Sequence, residues 1–131
     1  MKYLISILVF SVILHFTGCS NDETVVNNNT NVVSVRSVND TLAISISATN
    51  HNYSQNIQLY FSTDTVKLNM SVNGYGSGNG QFKLLRDTNV IFSKDLNSTY
   101  SISQEVFPGP PTNAVIELQN YKGNAGILVS K

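Results

Sequence analysis

Tryptophan is absent from the chain, cysteine occurs once, proline three times, and only 12% of the residues carry charge. Each shortage excludes something. A lone cysteine, Cys19, leaves no partner for a disulfide within the chain. Eight basic residues against eight acidic ones give no net charge, so there is no electrostatic footprint for nucleic acid. The prolines all fall in Pro108-Gly109-Pro110-Pro111, a rigid corner too short to serve as a polyproline recognition segment. Beyond residue 18 no window carries an apolar i, i+3, i+4, i+7 stripe, so helix is not expected there.

What is present begins with an apolar run. Met1-Lys2-Tyr3 supplies one positive charge, and Leu4 to Phe16 is apolar except for Ser6, Ser11 and His15. A spanning helix needs about 20 apolar residues, so this shorter run suits a signal-peptide core, with a helix expected over residues 3–16. Small residues, Thr17 and Gly18, stand directly before Cys19, and polar sequence begins at Ser20. Leu14-His15-Phe16-Thr17-Gly18-Cys19 resembles the lipobox of bacterial lipoproteins, with Phe16 where that motif usually has leucine. The resemblance implies that residues 1–18 are removed and that Cys19 is acylated. Each buried methylene contributes about 0.8 kcal/mol to membrane partitioning, so two or three acyl chains hold a protein stably. An acylated Cys19 leaves no thiol for catalysis or metal binding. Ser20-Asn21-Asp22-Glu23 is similar to the acidic signal that sends lipoproteins of some Gram-negative bacteria to the outer face of the outer membrane. The expected location is therefore the outer membrane, lipid-anchored, with the cell exterior and the periplasmic side both open as the face it occupies.

Removing residues 1–18 of 131 leaves 113, with seven basic and eight acidic residues once Lys2 is gone. That is one domain's length, enough to bury a core without disulfides. Residues 19–31 read as a tether, because Asn27-Asn28-Asn29-Thr30-Asn31 has almost no apolar surface to bury. From residue 32 to 131 the pattern alternates with period two. Leu42, Ile44 and Ile46 alternate with Ala43, Ser45 and Ser47, and Val66, Leu68, Met70 and Val72 with Lys67, Asn69 and Ser71. Ile116 and Leu118 alternate with Glu117 and Gln119. Such alternation marks strands with one buried and one solvated face. Strands are predicted at 32–38, 41–49, 56–62, 65–73, 80–86, 89–94, 99–107, 113–120 and 125–130. The fold class is all-β, an antiparallel two-sheet β-sandwich of about eight or nine strands. The glycine-rich segment, the strand ending in Asp95, the proline corner and the final strand–glycine–strand loosely resemble small uncharacterised β-sandwich lipoproteins, which implies the fold and no activity.

Candidate site residues are few. Gly74-Tyr75-Gly76-Ser77-Gly78-Asn79-Gly80 alternates glycine with other residues and reads as a hairpin connection at one end of the sandwich. It lacks the Gly-Lys-Ser/Thr ending of a phosphate-binding loop. Tyr75, Gly76 and Gly78 are the candidate ligand contacts: glycine admits a close partner, and tyrosine offers a large amphipathic face with few torsions to fix. His51 is the one histidine after residue 18 and has no partner that sequence can nominate for catalysis. Asp40, Asp64, Asp87 and Asp95 fall at strand ends, where aspartate closes turns. No calcium loop of the Asp-x-Asp-x-Asp-Gly kind is present. Tyr60 and Tyr121, out of phase with the buried positions around them, are expected to face solvent.

The function expected from these residues is that of a lipid-anchored binding or envelope-structural module, not an enzyme, with no cofactor and no metal. Its partners are the membrane, through Cys19, and a protein or glycan ligand; nucleic acid is not among them. Two alternatives are a small carbohydrate-active hydrolase using a carboxylate pair and a subunit of an envelope assembly, which would show an open strand edge.

Overall fold

The computed structural model describes residues 31–131, so the expected signal helix, Cys19 and nearly all of the tether lie outside the described residues. The described residues form six antiparallel strands and no helix: β1 Val32–Val38, β2 Thr41–Gln58, β3 Thr65–Arg86, β4 Asn89–Asp95, β5 Tyr100–Pro108 and β6 Asn113–Ser130. They make one sheet in the order β1-β2-β6-β3-β4, with β5 also paired to β3.

Nine strands were predicted and six are found. Three predicted breaks, near residues 50–55, 74–79 and 121–124, are not loops. They lie inside β2, β3 and β6, where the pairing register slips between Ala48 and Tyr53 and between Asn73 and Asn79. Glycine and asparagine mark both a turn and a bulge, because both need left-handed backbone. Gly74 and Gly78 in β3 and Asn120 in β6 have φ of 63°, 83° and 48°.

The slips also explain which side chains are buried. In β6 the inner positions run Ala114, Ile116, Leu118 and then Tyr121, Ala125, Ile127, Val129. The single left-handed residue between them, Asn120, moves the phase by one. In β3 the two left-handed glycines cancel, and Val66, Leu68, Met70, Val72 continue in the same phase as Phe82 and Leu84. The expectation that Tyr121 faces solvent is therefore wrong: it is fully buried, while Tyr60 is 63% exposed.

The long strands are folded back on themselves. Eighteen extended residues would span about 60 Å, yet the Asp40 N–H just before β2 donates to the carbonyl of Tyr60 just after it, at 3.0 Å. At the two ends of β3, Arg86 reaches the carbonyls of Pro108 and Gly109, and the Gly109 N–H donates to Asp64. The bend divides the sheet into a β5 half, with β1 and the outer lengths of β2, β3 and β6 near residues 41–48, 65–73 and 123–130, and a β4 half with the remainder. Apolar side chains of both halves meet inside. Phe92 of β4 lies 6.4 Å from Phe82 and 5.5 Å, edge-on, from Phe107 of β5. In the core Leu42, Ile44, Ile46, Ile57, Leu59, Leu68, Met70, Phe82, Leu84, Ile116 and Leu118 are buried; Phe61, Phe92 and Ile102 are half-buried against them.

Candidate functional site at the bend

The bend is held by close backbone approach. A Cβ on Gly78 would sit 2.2 Å from the Asn120 carbonyl oxygen, and one on Gly80 would meet Leu96 and the Tyr121 ring at 3.0 Å. The glycines that sequence reading offered to a ligand thus admit β6 of the same chain. Gly76 is less constrained, its nearest neighbour being the flexible stem of Lys122 at 3.1 Å.

Tyr75 is half-buried against the core. Its hydroxyl donates to the Gly78 carbonyl at 2.8 Å, and its ring tilts against that of Tyr121 at 6.1 Å. Tyr121 donates to the Leu96 carbonyl at 3.2 Å, and Tyr100 to that of Asp95 at 3.0 Å. Burial raises the pKa of both hydroxyls, pushing that of Tyr100 up to about 12. Buried phenols with carbonyl partners act as props for the bend.

On the outer side of the β4 half, beside the bend, the sheet surface is concave. A groove of about 970 Å³ is lined there by Asn52, Tyr53 and Ser54 of β2, Asn79 to Gln81 of β3, Asp95 and Asn97 at the end of β4, and Glu117 to Asn120 of β6. Tyr75 does not line it.

Strand register orders these side chains. Ser54 pairs with Glu117, Glu117 with Gln81, and Gln81 with Asp95, one row across four strands. The next row carries Gln119 opposite Asn79, with Asn97 beyond it, whose amide donates to Asn79 at 3.5 Å.

Several members are already held in place. Gln81 donates to Asp95 at 3.0 Å, and Lys83 makes an ion pair with Glu117 at 3.2 Å. Asn97 accepts from the Gly80 N–H at 2.8 Å, and Asn52 from the Asn120 N–H at 2.6 Å. Fixed amides and carboxylates, each retaining further donors or acceptors, can hydrogen-bond a polar ligand without first being ordered. His51 stacks on Tyr53 at 6.0 Å, and the Tyr53 hydroxyl donates to Gln55.

Sequence reading missed this row. In the sequence Asp95 reads as a turn residue, and Glu117 and Gln119 as part of a solvated strand face. Alternation gave their outward direction, but the placement of β6 between β2 and β3 is what gathers them. At the opposite end of the molecule Asp40 closes the chain. Its carboxylate accepts from the Ser62 N–H and hydroxyl at 2.6 and 2.9 Å and pairs with Lys131 at 3.2 Å. These hydrogen bonds, Ser62 first, lower its pKa below the ordinary aspartate value.

Among the described residues no three His, Cys, Asp or Glu side chains gather as a metal site would require. No family model matches the chain, and no curated protein matches it.

Proposed function

We propose that the protein is a lipid-anchored binding module of the outer membrane, and that the amide-lined groove is its ligand surface. In this reading the two halves of the bent sheet are the layers of a β-sandwich. The three long strands each cross from one layer to the other, which gives nine strand segments. The acyl chains on Cys19 hold the module at the membrane, and residues 19–31 give it reach of about 40 Å.

The observation that carries the binding reading is the row Ser54, Glu117, Gln81 and Asp95, with Asn79, Asn97 and Gln119 beside it. Amides and carboxylates at strand spacing fit a neutral ligand rich in hydroxyl groups, a glycan chain above all. Two carboxylates against one lysine disfavour an anionic ligand. The test is titration of a panel of neutral oligosaccharides into the full chain in detergent micelles. Loss of one well-made hydrogen-bonding group in Gln81→Ala should weaken binding about tenfold. Unchanged affinity in that variant overturns the site. Separately, Cys19→Ala should move the protein out of the membrane fraction, and a variant that stays there overturns the anchor.

One feature favours a second reading. Asp95 and Glu117 flank Gln81 in the same row, about 10 Å apart at the backbone by strand spacing. That is the wide end of the separation an inverting glycosidase uses. Against it, both carboxylates are exposed on an open face, where nothing excludes bulk water from competing. Release of reducing sugar that stops in Asp95→Asn and in Glu117→Gln would favour the hydrolase.

A further inference from the structure

Among the described residues four stretches of backbone edge lack a neighbouring strand. β1 pairs only β2, while β4 and β5 each pair only β3. The fourth stretch is β2 from His51 to Gln58, which has β6 on one side and no strand on the other, because β1 pairs no further along β2 than Ser47 and reaches this stretch only where the Ser37 hydroxyl donates to the Gln58 carbonyl at 3.4 Å. An open edge presents N–H and carbonyl groups to any passing strand, and folded proteins guard it with charged side chains, prolines or very short strands. Three of these edges are guarded so: β1 carries Arg36, β4 carries Lys94 and Asp95, and β5 carries Glu105 and ends at Pro108. The fourth is not. All of β2, Thr41–Gln58, contains no Lys, Arg, Asp, Glu or Pro.

We propose that this edge is the contact between two copies of the chain, β2 against β2, antiparallel about a two-fold axis at Gln55. The segment is complementary to itself in that register. Ser54 falls opposite Asn56, and Asn52 opposite Gln58, all four exposed. Tyr53, packed on the core, falls opposite Ile57, which is buried. Hydroxyl–amide and aromatic–β-branched pairs are favourable across strands, and no charge meets its own copy. Pairing there joins the two β4 halves into one continuous sheet. Because Asn52, Tyr53 and Ser54 also line the groove, the two grooves then lie side by side across the axis, one long surface instead of two short ones. The edge is open whatever the groove binds.

The test is the mass of the full chain in detergent micelles by light scattering, with the detergent contribution subtracted, over a range of concentrations. The wild type should pass from monomer to dimer as concentration rises. S54K/N56K sets lysine opposite lysine twice across the axis and should remain monomeric, as should S54E/N56E. An equal mixture of the two should recover the dimer, which a merely misfolded variant could not do. A wild type that is monomeric throughout, double variants that still dimerise or aggregate, or a mixture that fails to pair each overturns the proposal. None of these outcomes involves an oligosaccharide, so the interface and the groove can fail independently.

Discussion

The two halves of the sheet are built from the same three long strands, and their inner faces are alike, yet their outer faces have different chemistry. Across the β5 half one row reads Ser34, Ser45, Gly126, Ser71 and Ser101. Across the β4 half the matching row reads Ser54, Glu117, Gln81 and Asp95. The small side chains of the first are not forced by packing: a Cβ on Gly126 would meet nothing nearer than the Ser71 hydroxyl at 3.5 Å. Inner positions specify the fold and leave no room to differ, whereas outer positions carry little stability and can be turned to recognition. The proposed binding surface lies on the β4 half, where the outer face carries amides and carboxylates.

The largest effects should be the same in both halves. Phe82→Ala removes a fully buried ring of the β4 half, and Ile46→Ala a buried side chain of the β5 half. Expected losses are about 3–5 and 2–5 kcal/mol respectively. Denaturant unfolding should show one transition in both variants, because the halves share one core. Two separated transitions would mean that the bend joins two independent units, and the comparison would have to be redrawn.

Next come two glycines with opposite outcomes. Gly78→Ala forces a side chain into left-handed backbone, at a cost of roughly 1–3 kcal/mol before any clash is counted, and the Asn120 carbonyl stands in the way. Gly126→Ala has space and ordinary backbone, and should be neutral or stabilise by about 0.4–1 kcal/mol through the unfolded chain. Thermal melts of the pair check whether the bend alone is sterically fixed.

Acid and alkali should act on different parts of the molecule. The pKa of Asp40 is lowered by its bonds to Ser62, so its stabilising contribution is present above the ordinary aspartate value and is lost as pH falls through the lowered one. Asp40→Asn should melt below wild type at neutral pH, with the gap closing in acid. The pKa of Tyr100 is raised to about 12 by burial. Its neutral form therefore favours the fold below the ordinary tyrosine value, and that contribution is lost as pH rises from there toward about 12. Tyr100→Phe should flatten this alkaline limb. Parallel limbs in wild type and variants would show that other groups govern both.

What the sequence made legible follows the same division. Inner positions such as Leu42, Ile44, Leu68 and Ile116 could be read because burial imposes a period of two. Tyr121 could not, since the phase change lies at Asn120, an asparagine outwardly like its neighbours in an asparagine-rich chain. Residues 74–80 looked like a loop because left-handed backbone selects glycine in turns and bulges alike. The groove was illegible for a different reason: its row joins residues 54, 117, 81 and 95, and only the pairing register of distant strands brings these together.

The smallest effects on stability are expected on the outer faces, where the two halves differ. Gln81→Ala and Ser71→Ala each trim one outer-face side chain, one per half, and each should shift stability by no more than about 0.5 kcal/mol. Their consequences for a bound oligosaccharide should differ. Gln81 lies in the concave row and holds Asp95 in place, so its loss removes one ligand contact and loosens another. Ser71 stands among serines and glycine, with few groups to orient a ligand, and its loss should leave the titration unchanged. If both variants bind equally well, the polar row is only a solvated strand face. If Ser71→Ala is the weaker binder, recognition belongs to the β5 half instead, and the glycan reading of the groove is wrong.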